Sequence, residues 1–160
     1  MASTKKSNHV KGITPMPNPA GVEVISVYES ISLATTDIDL ADVVQFFILP
    51  AGCVPVGYAI GATDMDTGTA ILAANFGLLN AGETAISTAA ADGGAAWISA
   101  LALSGTAALT LHTASKAAYD ILKTVTAVSV DRIVAFVVST AATTAAAGTL
   151  TLEFSYKSAN

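Results

Sequence analysis

Few residues of this sequence have types and spacings suited to catalysis, which needs titratable groups brought together. The 160 residues include two histidines and one cysteine, and no GxSxG sequence is present to support a Ser-His-Asp triad. His9 lies in the N-terminal segment, and His112 alternates on the same side as Thr110, which predicts a solvated strand histidine. We therefore predict no catalytic residue. A small hydrolase that uses Asp64, Asp66 or His112 is the enzymatic alternative.

Asp64, Asp66 and Gly68 are spaced like the beginning of a calcium-binding loop, in which alternate carboxylates bind one ion. Such a loop also needs a third oxygen ligand before the glycine and a glutamate near its end, but Thr67 and Asn75 stand at those places. We predict an ordinary polar turn between two strands and no metal site.

The remaining candidate groups have structural explanations. Asp37, Asp39 and Asp42 are predicted to form a solvated acidic loop at a strand entry. Cys53 has no adjacent histidine or lysine, so we predict a buried small hydrophobic residue rather than a reactive thiol. A single cysteine excludes an intrachain disulfide, and neither GxGxxG nor GxxxxGK[ST] is present to hold a phosphate. No cofactor is predicted.

Charge and composition exclude several classes of partner. Lys and Arg number 7 against 12 Asp and Glu, a formal net charge of -5, which is too few cations for binding nucleic acid or acidic membranes. Residues 93–115 and 133–152 lack formal charge, but their Ser, Thr and Gly content and their alternation argue against membrane spans. Only 12% of the residues are charged and 32 are Ala, so we expect a homo-oligomer or a component of a larger assembly, with a soluble monomer as the alternative.

Turn signals divide the chain from residue 22 onward into short segments typical of strands. Residues 149–156 alternate large apolar side chains with polar ones, which predicts one core face and one wet face. Residues 54–60 alternate similarly, and Pro55 indicates an edge strand or an irregular start. Three runs are continuously apolar, as expected of strands covered on both faces, with a neighbouring subunit as one candidate cover: 43–49, 70–79 and 133–138.

These segments predict an all-β fold, an antiparallel β-sandwich of jelly-roll-like form over residues 22–160. At most one or two short helices are expected, over 95–103 and over 116–123, the second capped by Ser115.

Residues 1–21 show neither helical nor strand periodicity and contain cations and prolines, which favour extended backbone. We predict an extended N-terminal arm that orders on a neighbouring subunit, with lysines and proline-rich backbone along an acidic surface. A mobile terminus is the alternative. The predicted partner-binding residues of the arm are Lys5, Lys6, His9, Lys11, Pro15, Pro17 and Pro19.

The order of motifs resembles small structural proteins of tailed-bacteriophage virions over residues 22–156. The first half contains FFILPAG at 46–52, TDMDTG at 63–68, and AIL at 70–72 leading to FGL at 76–78. The second half contains the apolar run IVAFVV at 133–138, an Ala- and Thr-rich turn, and the closing alternating strand. The Ala-rich stretch 84–104 departs from this pattern, which leaves the strand count open, and the arm leaves the docking mode open.

The resemblance implies a capsid decoration (cement) protein, an all-β subunit that forms a homotrimer. Such a protein would bind the major capsid protein on the outer capsid surface, stabilise the shell, and be made in the host cytoplasm. The alternative is a receptor- or carbohydrate-binding module of a phage head or tail fibre, which should expose aromatic residues on a shallow face. The single Trp, Trp97, lies in an Ala-rich segment and is predicted to be in the core.

Overall fold

The computed structural model of the chain describes residues 2–104, 110–113 and 116–159. Within these residues, strands dominate and helices are short. The strands are β1 (Thr4–Lys6), β2 (Val24–Leu33), β3 (Val43–Leu49), β4 (Cys53–Ala62), β5 (Ala73–Leu78), β6 (Ile98–Ala102), β7 (Thr110–Thr113), β8 (Arg132–Thr140) and β9 (Gly148–Ser158). The helices are α1 (Lys116–Leu122) and two 3-10 turns, Thr35–Asp37 and Ala90–Asp92.

The strands form two sheets that enclose one core. One sheet has the order β1-β3-β8-β5-β6 and the other β2-β9-β4-β7. The β1–β3 pair is parallel, and the pairs among the remaining strands are antiparallel. Without β1, two antiparallel sheets of four strands remain, which is the architecture of a jelly roll. The predicted all-β, antiparallel, jelly-roll-like sandwich is confirmed.

β9 shows how the alternating sequence builds this core. It lies between β2 and β4, and its four large apolar side chains, Leu150, Leu152, Phe154 and Tyr156, are all fully buried. The predicted core face of this strand is therefore confirmed. Trp97 is also buried, as predicted, with its ring stacked 6.0 Å from that of Phe154.

β4 alternates less regularly than its sequence indicates. A register shift against β9 lies between Pro55 and Gly57, so the inward face changes phase at this point. Pro55 is buried before the shift, whereas Tyr58 and Ile60 are buried after it. The prediction that residues 54, 56, 58 and 60 share one face is therefore wrong for the first two. The irregular strand start indicated by Pro55 is confirmed.

β3 is covered on both faces, and part of its second cover comes from the chain itself. On the outer side of the five-stranded sheet, Val43, Leu79 and Ala135 form a small buried cluster against which Ile86 packs. Gln45 on the same strand is fully buried and donates from Nε2 to a Glu83 carboxylate oxygen at 3.0 Å. The loop that follows β5 therefore covers part of the outer face of β3. The sequence had left a neighbouring subunit as one candidate for this cover.

The two predicted helices have different outcomes. The helix over 116–123 is confirmed as α1 (Lys116–Leu122), while its predicted cap, Ser115, lies outside the described residues. The helix over 95–103 is wrong, because residues Ile98–Ala102 form β6 and pair with β5. Strand pairing with a buried neighbour overrides the high helix propensity of alanine there. Among the described residues, no helix has the length and apolar character to cross a membrane.

Candidate partner-binding segment

The N-terminal segment lies against the sandwich and adds a short strand to it. β1 pairs in parallel with the start of β3, and Ser7 N–H continues the contact by donating to Gln45 C=O at 2.9 Å. The Ser7 side chain is buried and donates to Phe46 C=O at 2.5 Å. This strand has no signal in the sequence, because three residues are too few for a period-two pattern. The division of the chain into an arm and a domain at residue 21 stays a prediction.

Two of the predicted cations pair with acidic residues of the same chain. Lys5 Nζ lies 3.0 Å from Asp37 Oδ2, and Lys6 Nζ lies 3.6 Å from Glu83 Oε2. Lys11 is exposed, and it forms no ion pair with any residue that the structure describes. The lysines were predicted to lie along an acidic surface of a neighbouring subunit. At these two contacts, the acidic groups belong to the same chain.

Two of the three acidic residues before β3, Asp37 and Asp42, bind the N-terminal segment. The prediction that Asp37, Asp39 and Asp42 all form a solvated loop is therefore wrong. Asp42 is buried, and its carboxylate accepts hydrogen bonds from the backbone N–H groups of Ser3 and Asp39. Burial alone would raise the pKa of Asp37, but a hydrogen bond from Ala34 N–H and the nearby Lys5 ammonium hold it below its usual value. A carboxylate that meets backbone donors from a distant segment leaves no local sequence signal.

His9 anchors the middle of the segment. Its side chain is buried, and its ring lies 5.1 Å from the ring of Phe47. Nδ1 lies 3.1 Å from Thr14 C=O and donates to it, because a carbonyl oxygen only accepts. Nε2 lies 3.9 Å from a Glu29 carboxylate oxygen on β2. His9 thus contacts both sheets and serves here as a packing residue.

The prolines follow this anchor and lead to the sandwich. Pro15 and Pro17 are exposed and Pro19 is half-buried, but the carbonyl of Pro17 accepts a hydrogen bond from Tyr156 Oη at 2.5 Å. Between the anchors at His9 and at Pro17, residues 11–15 form an exposed loop. Its most apolar member is Ile13, which is 68% exposed. We call residues 11–15 the N-terminal loop.

A cleft of about 360 Å³ opens beside the N-terminal loop. Six residues of the N-terminal segment line one side, and Ile48, Pro50 and Asp131 line the other; the six are His9, Gly12, Thr14, Pro15, Met16 and Asn18. Sequence reasoning identified Lys11 and Pro15 in this region but missed Ile13. The sequence feature that could have identified Ile13 is a large β-branched side chain among small and polar residues, in a segment that is predicted to lie outside the core.

The other candidate groups from the sequence are structural or lie outside the described side chains. Cys53 is buried as predicted, and burial with nearby Asp131 raises the pKa of its thiol. His112 lies on β7 opposite Ile60, but its side chain is outside the described part of the structure. Within that part, no three acidic, histidine or cysteine residues come together as metal ligands.

The predicted turn at 64–68 contains a buried carboxylate. Asp66 accepts hydrogen bonds from backbone N–H groups of Ile71, Thr143 and Thr144, at 3.2, 3.1 and 2.9 Å respectively. The Thr143 hydroxyl donates to it as well, at 2.9 Å. Burial would raise the pKa of Asp66, but these donors outweigh burial and hold it well below its usual range. Asp66 thus joins its own loop, between β4 and β5, to the loop between β8 and β9.

The fold has counterparts among solved structures of phage capsids. A chain in the capsid of Ralstonia phage GP4 matches with a TM-score of 0.73 and 20% identity, covering 98% of this chain and 99% of that chain. A chain in the cyanophage Pam1 capsid asymmetric unit matches with a TM-score of 0.52 and 22% identity, covering 89% and 90%. No family model and no curated protein matches the sequence. At these identities the matches show a shared fold, and the resemblance to phage virion proteins is confirmed at that level.

Proposed function

We propose that this protein is a structural component of a phage virion, a decoration (cement) protein bound to the major capsid protein on the outer capsid surface. The observation that carries the proposal is the agreement of fold along 98% of this chain with a chain of the Ralstonia phage GP4 capsid. The proposed task is mechanical, since a protein that binds only the assembled shell stabilises it by mass action. No catalytic role is proposed.

The N-terminal segment is the proposed contact with the shell. Lys5, Lys6 and His9 engage this chain's own groups, so in this proposal they position the segment, together with Pro17 and Pro19. The side chains offered to the capsid are those of the N-terminal loop: Lys11, Ile13 and Pro15. Because both ends of the loop are anchored, little conformational entropy is lost when it binds.

Self-association into a homotrimer is the second part of the proposal. A trimer presents three N-terminal loops to the shell, and each bound loop raises the effective concentration of the others. Modest affinity at each loop is then sufficient for tight attachment.

The receptor- or carbohydrate-binding alternative has less support in the structure. That function expects aromatic side chains exposed on a shallow face. Of the aromatic side chains that the structure describes, Tyr28 alone is exposed, while Trp97 and the phenylalanines are buried in the core. A single exposed ring supplies little of the stacking surface that sugar binding uses.

Co-sedimentation with shells that lack their decoration protein tests the proposal. The wild-type protein is expected to bind saturably, as a trimer. K11E/I13D is expected to weaken binding on the order of 10- to 100-fold, the loss corresponding to burial of one large aliphatic side chain. The matched control is K123E/V130D, because Lys123 and Val130 are similarly exposed but lie outside the N-terminal segment.

The outcomes separate the parts of the proposal. A wild-type protein that fails to co-sediment with shells contradicts the capsid role itself. Wild-type binding that K11E/I13D leaves unchanged contradicts only the assignment of the contact to the N-terminal loop. A monomer mass in solution and on shells contradicts the trimer.

A further inference from the structure

The open edge of the four-stranded sheet lacks a partner. β2 pairs with β9 over all ten residues, Val24–Leu33, without a register shift, and it is the outermost strand of its sheet. In an antiparallel strand, every second residue directs its N–H and C=O away from the neighbouring strand. Within the described part of the chain, no backbone hydrogen bond between elements reaches that outer side of β2. The outward N–H and C=O groups of every second residue of β2 have the spacing that another extended strand matches.

The other sheet edges are short or irregular, as is usual where edge pairing is prevented. β1 has three residues and β7 has four, while β6 pairs with a register shift. β2 has the sequence VISVYESISL, which contains no Lys, Pro or Gly, and it has no bulge. Its one charged residue, Glu29, is half-buried on the inward side, where Asn8 N–H donates to it at 3.0 Å. The edge itself is therefore long, regular and uncharged.

Exposed apolar side chains concentrate beside this edge. Val22 is 86% exposed, Val24 is 53% exposed and Tyr28 is 66% exposed. They account for three of the seven large hydrophobic side chains that are exposed among the described residues. Covering them would remove apolar surface from water in addition to satisfying the backbone.

We propose that β2 pairs antiparallel with β2 of a second copy of this chain, across a two-fold axis near Tyr28. This register sets Tyr28 opposite Tyr28, and it sets Ser26 opposite Ser30 on the outer face. On the inner face Glu29 stands opposite Val27, so no like charges meet. The strand is thus complementary to itself, as a two-fold contact requires. The proposal does not depend on capsid binding, and it is a two-fold contact separate from the proposed three-fold association.

On the outer face of the sheet, hydroxyl side chains of β2 and β9 already form cross-strand hydrogen bonds, and a second copy would continue this pattern. Ser26 Oγ lies 2.6 Å from Ser155 Oγ on β9, and Ser30 Oγ lies 2.7 Å from Thr151 Oγ1. Small hydroxyl side chains keep this face flat and form cross-strand hydrogen bonds. With Ser26 of one copy beside Ser30 of the other, the same hydroxyl pattern extends across the axis.

Disulfide trapping tests the register. In the proposed contact the two Tyr28 Cα atoms lie about 4.5–5.5 Å apart, within the range that a disulfide spans. Oxidation of the full-length Y28C protein is expected to give covalent dimers, because the native Cys53 is buried. E153C is the matched control: Glu153 is exposed beside Tyr28 on β9, but its two copies would lie about three strand spacings, ~14 Å, apart. At micromolar protein, Y28C is expected to cross-link on the order of 100-fold faster than E153C.

Sedimentation without cross-linking tests the contact itself. S26K/S30K places lysines opposite lysines across the axis, where like charges repel. It is therefore expected to halve the mass of the wild-type assembly, to a monomer from a two-fold dimer, or to a trimer from a dimer of trimers where the three-fold association is also present. These positions are exposed, so thermal unfolding of the variant should still show a folded protein. Equal cross-linking of Y28C and E153C, or a mass that S26K/S30K leaves unchanged, overturns the proposal. Loss of shell binding by S26K/S30K at unchanged mass also overturns it, because the edge would then serve another protein.

Discussion

Replacing Asp92 with alanine is expected to destabilise the protein by about 3–5 kcal/mol, because Arg132 would remain buried without its counter-charge. The Arg132 side chain is 7% exposed, and its Nη1 lies 2.9 Å from Asp92 Oδ1. The guanidinium also donates to the carbonyls of Ala91 and Cys53, each at 3.1 Å. Arg132 begins β8 in one sheet and Cys53 begins β4 in the other, so this side chain joins the two sheets.

Urea unfolding followed by the fluorescence of Trp97, the only tryptophan, measures this loss at a fixed protein concentration. The matched control is Asp120→Ala, which removes an ion pair at 3.9 Å whose side chains are 73% and 52% exposed. An exposed pair of this kind contributes about 0–1 kcal/mol. D92A/R132M is expected to cost less than the sum of the two single variants, because it leaves neither charge alone.

A loss of stability in Asp92→Ala below about 1 kcal/mol, equal to that of the surface control, would refute this reasoning. It would mean that the guanidinium reaches water or another acceptor when its carboxylate partner is removed. Additive single and double variants would likewise contradict a direct interaction between the two charges.

Two further predictions concern pH. Burial raises the pKa of both Tyr58 and Tyr156 to about 12, so the stability they contribute is complete below pH ~10 and is lost as the pH rises towards 12. Y58F/Y156F should reduce this alkaline loss in urea titrations from pH 8 to pH 12, and an unchanged slope would contradict it. The lowered pKa of Asp66 implies stability that is complete above its unfolded value, about 3.9, and is lost as the pH falls below it. Asp66→Asn should be less stable than wild type at pH 7 and should lose less on acidification, and equal acid slopes in thermal melts would contradict this.

The sequence predicted elements whose side chains alternate along an undistorted strand. β9 has this property, and so its core face could be identified residue by residue. β4 does not, because the register shift after Pro55 inserts one residue and exchanges the faces of the strand. A bulge of this kind depends on the pairing with β9, which is far away along the chain. The alanine-rich composition of β6 favours a helix locally, so the sequence predicts a helix there. The strand forms because it pairs with β5, and the local sequence does not reveal that pairing.

The residues that hold the N-terminal segment were less predictable than the fold. Asp37 and Asp42 look like a solvated acidic loop in the sequence, yet their partners, Lys5 and Ser3, lie more than 30 residues away. The sequence predicts Tyr156 as a core residue of β9, but not that its hydroxyl donates to the carbonyl of Pro17, 139 residues earlier in the chain. Such contacts are properties of the folded topology, since no local spacing encodes them.

The distribution of charge explains what kind of contact the free surfaces can make. Arg132, Lys5 and Lys6 are paired within the chain, and the acidic residues that meet them are occupied by the same contacts. The two surfaces proposed for partners, the N-terminal loop and the β2 edge, instead offer backbone groups and small or apolar side chains, with Lys11 as the one exposed charge. Contacts of this type have little long-range attraction, so specificity must come from shape and hydrogen-bond register. In the proposed virion role, strength then comes from repetition, because many copies on one shell add modest affinities through valency.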